Sequence, residues 1–568
     1  MQRFSAFNNT RAVLDTTRWL CYQERMLRPL TLCLALRCLL LGWSAAVLSA
    51  VLVYGRGAGL PLQDTRGVSE NETLRYSLED IEQLIEKGDL AKAREQLTEV
   101  LKTSPKDPNA LNLMGVIEAQ EGNYRAAETE FQKALAAAPR LTGAYLNLGH
   151  LYQEQAAKDP QAMKKGLETY RRLLQYEPDN VEAHYQAAYL LSRLGSFRLS
   201  LEHLGRLPPA AQARAQALAL KCADYSGLQD RAQADTAAEE LAQSADLSEA
   251  DVTSIAPLLE KHQREDLEIK LLGVLEEKNL ASPGSLFQLG ALLEKQGNYP
   301  QARDMLEKAG QHDADSVPLL IELARVAEKQ NENKAALGYL AHARDLQPDN
   351  AAIHFFFGVV CIKENLAEEA YRSLKKAVSL DPDNAYYNYA FGSVAVQRQD
   401  AGEAIPYLKK YVELKPDDSK GKLALGAAYF YSHSDELAQK QFEPLVQVPE
   451  LAPVADYFLG RVANQQGRYA DAIRELHQAL EANPKFADAY AELGLLHLKQ
   501  KQYPEAEKAL RQALYLDPES YTGNLNLMIL YQRTRDPRAD AQAKHFEEIR
   551  AQRAERAKEL LRTIVVQP

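Results

Sequence analysis

The side chains that could do chemistry in this 568-residue chain are few and scattered. Its eleven histidines occur singly, and the sequence contains no HExxH, Cys-x-x-Cys, GxSxG or phosphate-binding GxxxxGK[ST] motif. His354 and His497 fall on predicted packing faces of helices, which indicates core histidines rather than metal ligands. Cys222 and Cys361 lie far apart in sequence and are predicted to be packed thiols without a disulfide.

The absence of these motifs predicts a protein that is not an enzyme and that uses neither a cofactor nor a metal. The stretch GRGAG at residues 55–59 lacks the full spacing of a phosphate-binding turn. The net charge of −11 is spread along the chain without a basic face, so we expect no binding to nucleic acid. The abundance of Ala, Leu, Glu, Gln and Lys favours helices.

Residues 487–520 contain the unit around which the chain is organised. They predict two amphipathic helices, with Gly494 on the packed face of the first and Ala506 and Leu510 on that of the second, ended by Pro518. A glycine inside a helix costs about 0.5–1 kcal/mol relative to alanine. Gly494 therefore predicts a contact between the two helices that is too close for a Cβ atom.

The unit recurs with a period of about 34 residues. The interval from Pro139 to Pro178 is longer, which predicts a loop insertion between the helices of its unit, near residues 155–161. Residues 210–282 match the pattern poorly, yet Gly195 and Gly297 are three periods apart, so we interpret this stretch as two degenerate repeats. The prolines that end the units and set the alignment are Pro105, Pro139, Pro178, Pro348, Pro382, Pro416, Pro484 and Pro518.

The pattern resembles the tetratricopeptide repeat family over about residues 74–568. One close match is formed by Asp456, Leu459, Gly460, Gly467, Tyr469, Ala472, Leu476, Ala479 and Pro484. Another is formed by Leu111, Gly115, Gly122, Tyr124, Ala127, Phe131, Ala134 and Pro139. The resemblance implies an all-α fold, a right-handed α-solenoid of tandem helix-turn-helix repeats whose inner groove binds peptides or protein segments.

In this family the first helix of each repeat lines the inner groove. The resemblance therefore implies a peptide-binding stripe, apolar and aromatic, formed by Phe355, Val359, Ile362, Tyr386, Tyr389, Val396, Leu423, Phe430 and Tyr431. Two interpretations stay open: these side chains line a binding groove, or they are packed between helices. Members that grip a C-terminal carboxylate use a Lys and Asn pair on these helices, and no such pair is evident in adjacent repeats.

The N-terminal region predicts a membrane-related segment. Residues 1–29 are polar and contain five arginines, and residues 30–54 are apolar apart from Arg37. Two interpretations stay open: an uncleaved transmembrane anchor, or a signal sequence, with Met26 as a candidate start. Because the arginines precede the apolar run, both place the repeats outside the cytoplasm.

The predicted organisation is an anchor or signal at residues 30–54, a linker at 55–73, repeats at 74–209, degenerate repeats at 210–282, repeats at 283–537 and a capping helix with a tail at 538–568. The predicted function is a non-enzymatic scaffold for protein–protein interaction, held as a single-pass membrane protein, in the style of a bacterial inner-membrane protein facing the periplasm. The alternatives are an exported soluble adaptor and, from a different class, an enzyme or a carbohydrate-binding solenoid. The expected partners are other proteins or peptide segments, and the membrane through the N-terminal helix.

Overall fold

The computed structural model describes residues 77–565 except residues 157, 158, 160 and 365. Within these residues the regular structure consists of 29 α-helices and one short 3₁₀-helix, without a strand. This confirms the predicted all-α fold of tandem helix pairs. The predicted apolar helix at residues 30–54 and the linker at 55–73 lie outside the described residues.

The chain divides into two compact units that adjoin in sequence at His312 and Asp313. The helices of the first unit are α1 (Leu78–Glu86), α2 (Leu90–Thr103), α3 (Pro108–Gln120), α4 (Tyr124–Ala137), α5 (Thr142–Gln155), α6 (Ala162–Tyr176), α7 (Val181–Arg193), α8 (Phe197–Gly205), α9 (Pro209–Gln212), α10 (Ala215–Gly227), α11 (Arg231–Gln243), α12 (Glu249–Lys261), α13 (Glu265–Glu277), α14 (Pro283–Lys295) and α15 (Tyr299–Gly310). Apart from α9, they form antiparallel pairs of a first and a second helix.

The second unit is built in the same way. Its helices are α16 (Val317–Lys329), α17 (Asn333–Leu346), α18 (Ala351–Lys363), α19 (Ala367–Leu380), α20 (Ala385–Gln397), α21 (Ala401–Leu414), α22 (Ser419–Tyr431), α23 (Asp435–Phe442), α24 (Ala452–Gln465), α25 (Tyr469–Ala482), α26 (Ala487–Lys499), α27 (Tyr503–Leu516), α28 (Tyr521–Thr534) and α29 (Ala539–Val565). The 3₁₀-helix Glu443–Gln447 follows α23 directly.

The connections between repeats start the next helix, as the sequence predicts. The side chains of Asn350 and Asn384 accept hydrogen bonds from backbone N–H groups in the first turns of α18 and α20. The Asp418 carboxylate does the same for Lys420 in α22. Each cap satisfies donors that the first turn of a helix leaves without an internal partner.

Close contact between the paired helices is made possible by glycine. A Cβ atom added to Gly358 in α18 would lie 2.6 Å from Cγ of Leu374 in α19, and one added to Gly392 would lie 2.6 Å from Cγ of Leu408. No real Cβ atom tolerates such a distance without displacing its neighbour. The large side chain of each second helix therefore occupies the place where the first helix lacks a side chain.

The irregular stretches of the sequence also form helix pairs. Residues 210–282 contain α10 with α11 and α12 with α13, and the first helices α10, α12 and α14 begin one repeat period apart. The predicted insertion falls between the end of α5 and the start of α6. The charged helix α29 buries Phe546 and Ile549, and the Phe546 ring lies 4.9 Å from that of Tyr521 in α28.

The structure corrects the predicted location. In the described part of the chain, no helix combines the length and the apolar character needed to cross a membrane. Most repeat helices contain 13 or 14 residues, fewer than the ~20 that span a bilayer, and the 27-residue α29 is rich in charge. The prediction of a single-pass membrane protein with repeats outside the cytoplasm is therefore wrong for these residues, and the membrane is not supported as a partner. The predicted anchor or signal itself lies outside the described residues.

Candidate functional site

The predicted groove residues lie on α18, α20 and α22, the first helices of three successive repeats. Six of them are only 2–7% exposed: Phe355, Val359, Tyr389, Val396, Leu423 and Phe430. The other three, Ile362, Tyr386 and Tyr431, are partly exposed. Most of the stripe is therefore packed, and these three side chains provide its accessible apolar surface.

Ring contacts explain why the stripe is packed. The Phe355 ring lies 4.9 Å from that of Tyr387 on the next first helix, and the Tyr389 ring lies 4.8 Å from that of Tyr411 on α21. The Tyr411 hydroxyl donates to the Asp418 carboxylate. Burial, together with Asp418, raises the pKa of Tyr389. These phenols are therefore neutral packing groups that fix the first helices against one another.

The aromatic cluster encloses a cation. The Arg461 guanidinium of α24 lies 4.5 Å from the Phe430 ring centroid and 5.7 Å from that of Tyr431. Its own helix contributes two more rings, Tyr457 at 5.5 Å and Phe458 at 5.7 Å. Cations are attracted to the faces of such rings, most strongly where water is excluded. We call Phe430, Tyr431, Tyr457, Phe458 and Arg461 the arginine cage.

The arginine is held mainly by these rings. Its hydrogen bond to the Tyr431 hydroxyl is long, 3.4 Å from Nη1 to the oxygen, and it forms no ion pair with a residue that the structure describes. Burial lowers the pKa of Arg461, but Tyr457, Tyr431 and Glu492 outweigh burial and keep the pKa raised. The guanidinium is therefore charged and only partly exposed, and among the described residues its one hydrogen-bond acceptor is the Tyr431 hydroxyl.

A polar chain continues from the arginine cage to the next repeat. The Asn464 amide nitrogen donates to Glu492 at 2.6 Å, and the Lys499 ammonium donates to the Asn464 amide oxygen at 2.7 Å. In this pair the Asn464 amide is bonded to Glu492 and to Lys499 itself, and the prediction that this chain lacks a Lys and Asn pair for gripping a C-terminal carboxylate stays a prediction. Burial, with the charge of Asp517, raises the pKa of the neighbouring Asp488 to about 6 despite Arg461.

The groove residues predicted from the sequence do not include Tyr457, Phe458, Arg461 or Asn464. One signal could have found Tyr457, because Phe355, Tyr389, Leu423 and Tyr457 follow one another at intervals of one repeat period. The series of apolar first-helix positions therefore extends one repeat further than predicted. Nothing in the spacing showed that Arg461 would lie among four rings.

The histidines and cysteines that the sequence places in the core have different surroundings in the structure. His354 is 8% exposed, and its Nε2 is 2.8 Å from the Pro348 carbonyl oxygen, so it is a packed histidine as predicted. His497 is partly exposed and pairs with Gln502 in the turn after α26, at 2.7 Å. Cys222 and Cys361 are buried free thiols, as predicted, and burial raises the pKa of each to about 12. In the described ranges, no three His, Cys, Asp or Glu side chains are placed to hold a metal ion.

A curated relative found by sequence is an N-terminal acetyltransferase A complex subunit-like protein of Schizosaccharomyces pombe. It is 29% identical over 140 residues, which is 25% of this chain. The chain spans only 19% of the length of that relative.

Solved structures of low similarity include a tetratricopeptide repeat protein from Parabacteroides merdae, 15% identical with a TM-score of 0.37, covering 44% of this chain and 98% of that one. Yeast Tom70 is 16% identical with a TM-score of 0.32, covering 81% of this chain and 99% of that one. Cut9–Hcn1 of the APC/C is 14% identical with a TM-score of 0.35, covering 79% and 95%. With TM-scores this low, neither the shape nor the partners of these molecules are transferred to this chain.

Family models give the assignment. Two models described as tetratricopeptide repeat match this chain, one at residues 83–141, 365–419, 423–476 and 459–521, and the other at residues 293–354. The matches fall on helix pairs in both units, including α20 with α21, where Gly392 faces Leu408. Such repeats are typically scaffolds without catalytic activity, and their fold supports a role in protein interaction. The chain belongs to the tetratricopeptide repeat family.

Proposed function

We propose that this protein is a non-enzymatic scaffold that binds a segment of another protein. The segment would lie across the first helices of five successive repeats, α18, α20, α22, α24 and α26. The segment would place apolar side chains against Ile362, Tyr386 and Tyr431, and its backbone would run past Arg461. We call this surface the first-helix face. The curated relative's description as a complex subunit-like protein agrees with a role in a protein assembly.

The observation that carries the proposal is the pairing of Tyr431 with Arg461. A charged group that is taken out of water costs free energy unless acceptors replace the water. The rings of the arginine cage supply part of that compensation, but they accept only weakly, and the Tyr431 hydroxyl is 3.4 Å away. Backbone carbonyl oxygens of a bound segment would supply the acceptors that the guanidinium lacks.

Partial exposure of Tyr431 and Tyr386 fits the same role. Tyrosine has a large apolar ring and a hydroxyl, and it is enriched where proteins bind one another. Phe430 precedes Tyr431 in the chain, and Tyr389 lies on the same helix as Tyr386. Both Phe430 and Tyr389 are buried and support the two partly exposed tyrosines. The face therefore combines a rigid base with a small accessible apolar surface.

The test selects peptides from a displayed random library on the full chain and measures their binding by fluorescence anisotropy. The variants are Tyr431→Lys, on the first-helix face, and Tyr515→Lys, on α27, where the tyrosine is 81% exposed. Both changes introduce the same charge. We expect Tyr431→Lys to weaken binding of the selected peptides by about tenfold or more, which corresponds to roughly 1.4 kcal/mol.

Tyr515→Lys should leave the affinity unchanged, and both variants should keep the circular dichroism of the wild type. The proposal fails if the selected peptides bind Tyr431→Lys as tightly as the wild type, or if Tyr515→Lys weakens them equally.

A further inference from the structure

A cavity of about 560 Å³ lies in the first unit, where the connection between α4 and α5 meets the end of α6. Its walls are mainly apolar and include Pro108, Pro139, Leu141 and the Tyr176 ring, with Arg140 at its edge. Tyr176 is 42% exposed. The cavity is formed by connections between repeats, so it is separate from the first-helix face and belongs to the other unit.

The connection that lines this cavity, residues 138–141, is fixed by hydrogen bonds. Tyr145, which is fully buried, donates its hydroxyl to the Pro139 carbonyl oxygen at 3.1 Å. The backbone N–H of Leu141 donates to the Ala138 carbonyl oxygen at 3.0 Å. The Thr142 hydroxyl donates to the Glu177 carboxylate, which joins the start of α5 to the end of α6. These bonds tie the lining connection to α5 and to the end of α6.

The connection at Pro139 has a basic residue after its terminal proline, as do the connections at Pro105 and Pro484. The residue after the terminal proline is acidic in most repeats, as at Asp179, Asp349, Asp383, Asp417 and Glu519. In this connection it is Arg140. Arg140 therefore places a positive charge beside the cavity, on a chain whose net charge is −11.

The second residue after the terminal proline, Leu141 in this connection, differs from the helix-capping residue found in most other repeats. In other repeats it is Asn180, Asn350, Asn384, Asp418 or Ser520, and each of these side chains caps the helix that follows. Leu141 cannot cap, and α5 begins without a side-chain cap. Phe486 also replaces a cap, but Phe486 is buried against the Tyr457 ring at 5.0 Å. Leu141 instead lines the cavity and remains partly exposed.

Two arginines stack on tyrosines at this place: Arg140 on Tyr176, which lines the cavity, and Arg172 on the buried Tyr145. The Arg140 guanidinium lies 5.8 Å from the Tyr176 ring centroid, and Arg172 lies 5.6 Å from that of Tyr145. The two rings are themselves 6.2 Å apart. Neither arginine forms an ion pair with any residue in the described ranges. Arg140, at the edge of the apolar cavity, is therefore a cation that no carboxylate within those ranges neutralises.

We infer that this cavity binds an acidic segment of a partner protein in which a large apolar side chain stands next to a carboxylate. The apolar side chain would fill the space between Pro139, Leu141 and Tyr176, and the carboxylate would pair with Arg140. A nucleic acid is a poor match for two reasons. The chain has a net charge of −11, and the mainly apolar lining of the cavity does not suit a phosphate group. The inference concerns a different unit and does not depend on the proposed function.

The test uses three labelled synthetic peptides and the full chain, with binding followed by fluorescence anisotropy. One peptide contains Glu-Leu-Glu between glycines, the second has Gln in place of Glu, and the third has Gly in place of Leu. The variant Arg140→Asp gives this connection the acid found in other repeats. The control Lys485→Asp makes the same change of charge after Pro484, at an exposed position in the other unit.

We expect the Glu-Leu-Glu peptide to bind most tightly to the wild type and to Lys485→Asp, and to bind Arg140→Asp about tenfold more weakly or not at all. A second variant, Tyr176→Ser, should weaken the same peptide while leaving the helical circular dichroism unchanged. Equal binding of the Gln-containing peptide would overturn the need for a carboxylate. Equal binding of the peptide without Leu would reduce the site to a simple anion patch and overturn the inference, as would undiminished binding to Arg140→Asp.

Discussion

A Cβ atom added to Gly494 would lie 2.5 Å from Cγ of Leu510, the residue of α27 that packs against α26. This confirms the contact that the glycine predicted from sequence. Leu510 is fully buried, and the Ala506 carbonyl oxygen lies 3.4 Å from the added Cβ atom. Gly494 therefore faces both a side chain and the backbone of α27.

Gly494→Ala is therefore expected to destabilise the second unit by about 1–3 kcal/mol, because the added methyl group overpacks the helix contact. Urea unfolding followed by circular dichroism measures the change. Gly338→Ala is the matched control, since Gly338 lies within α17 with nothing within 4 Å of an added Cβ atom. There the helix propensity of alanine should raise stability by roughly 0.5–1 kcal/mol. A stabilising effect at both positions would contradict the packing described.

The turn after α26 places Lys501 at φ +62°, in the left-handed region, where the equivalent turn after α24 has Gly467 at φ +74°. Both residues donate their backbone N–H to the carbonyl oxygen three residues earlier. Side chains other than glycine are strained there by about 1–2 kcal/mol. Lys501→Gly should therefore raise the free energy of unfolding by about 1 kcal/mol.

Gly467→Ala is the reverse experiment and should lower the stability by a similar amount. The measurement is again the urea midpoint of the full chain. If Lys501→Gly destabilises the protein, the strain assigned to this turn is wrong.

Asp224 in α10 is fully buried, and neither carboxyl oxygen has a hydrogen-bond partner in the described residues. Burial raises its pKa to about 7, although the nearby Ser192 and Ser200 hydroxyls act in the opposite direction. Because the pKa is higher in the folded state than the value of 3.8 expected on unfolding, folding favours the protonated acid. Stability should therefore fall as the pH rises from about 4 to about 7.

The variant Asp224→Asn removes this titration. Between pH 5 and pH 8 the wild type should lose on the order of 2 kcal/mol more stability than the variant does. The comparison uses the difference between the two proteins, since Glu268, whose pKa burial also raises to about 7, titrates in both. Parallel pH profiles of stability would show that Asp224 does not titrate in this range.

Glu328 of α16 is 5% exposed and pairs with the Lys363 ammonium of α18 in the adjacent repeat. Lys363→Met would leave that carboxylate buried without its cation, so we expect a loss of about 3–5 kcal/mol. Replacing both residues, Glu328→Leu with Lys363→Met, should recover most of the loss, because no charge then remains buried. Thermal and urea unfolding of the two variants measure this. Equal losses in both would mean that packing, rather than charge, dominates at this contact.

The repeats were predictable because their rules are local and repeated. A constant repeat period, a packed glycine in the first helix and an Asn or Asp after the terminal proline each have a direct physical cause, and the structure shows all three. Even residues 210–282, with few matching side chains, form the two helix pairs that the spacing predicts.

The candidate site was less predictable, because exposure depends on how neighbouring helices meet. Phe430 and Tyr431 are consecutive and both apolar, yet only Tyr431 is partly exposed. The arginine cage combines rings from α22 and α24, and a sequence pattern does not give the orientation of a guanidinium over a ring. The predicted location failed for another reason, since it rested on the apolar segment at residues 30–54 and not on the repeats.

The measurement that tests the central claim most directly is site-specific photo-cross-linking on the full chain in a lysate of its source. A benzophenone amino acid replaces Tyr431 or Tyr386 on the first-helix face, or Tyr515 on α27 as the control. Mass spectrometry then maps the cross-linked peptides of the partner. Binding at the first-helix face predicts one recurring partner segment cross-linked from positions 431 and 386 and absent at 515. Cross-links from position 515 alone, or the same proteins at all three positions, would contradict binding at this face.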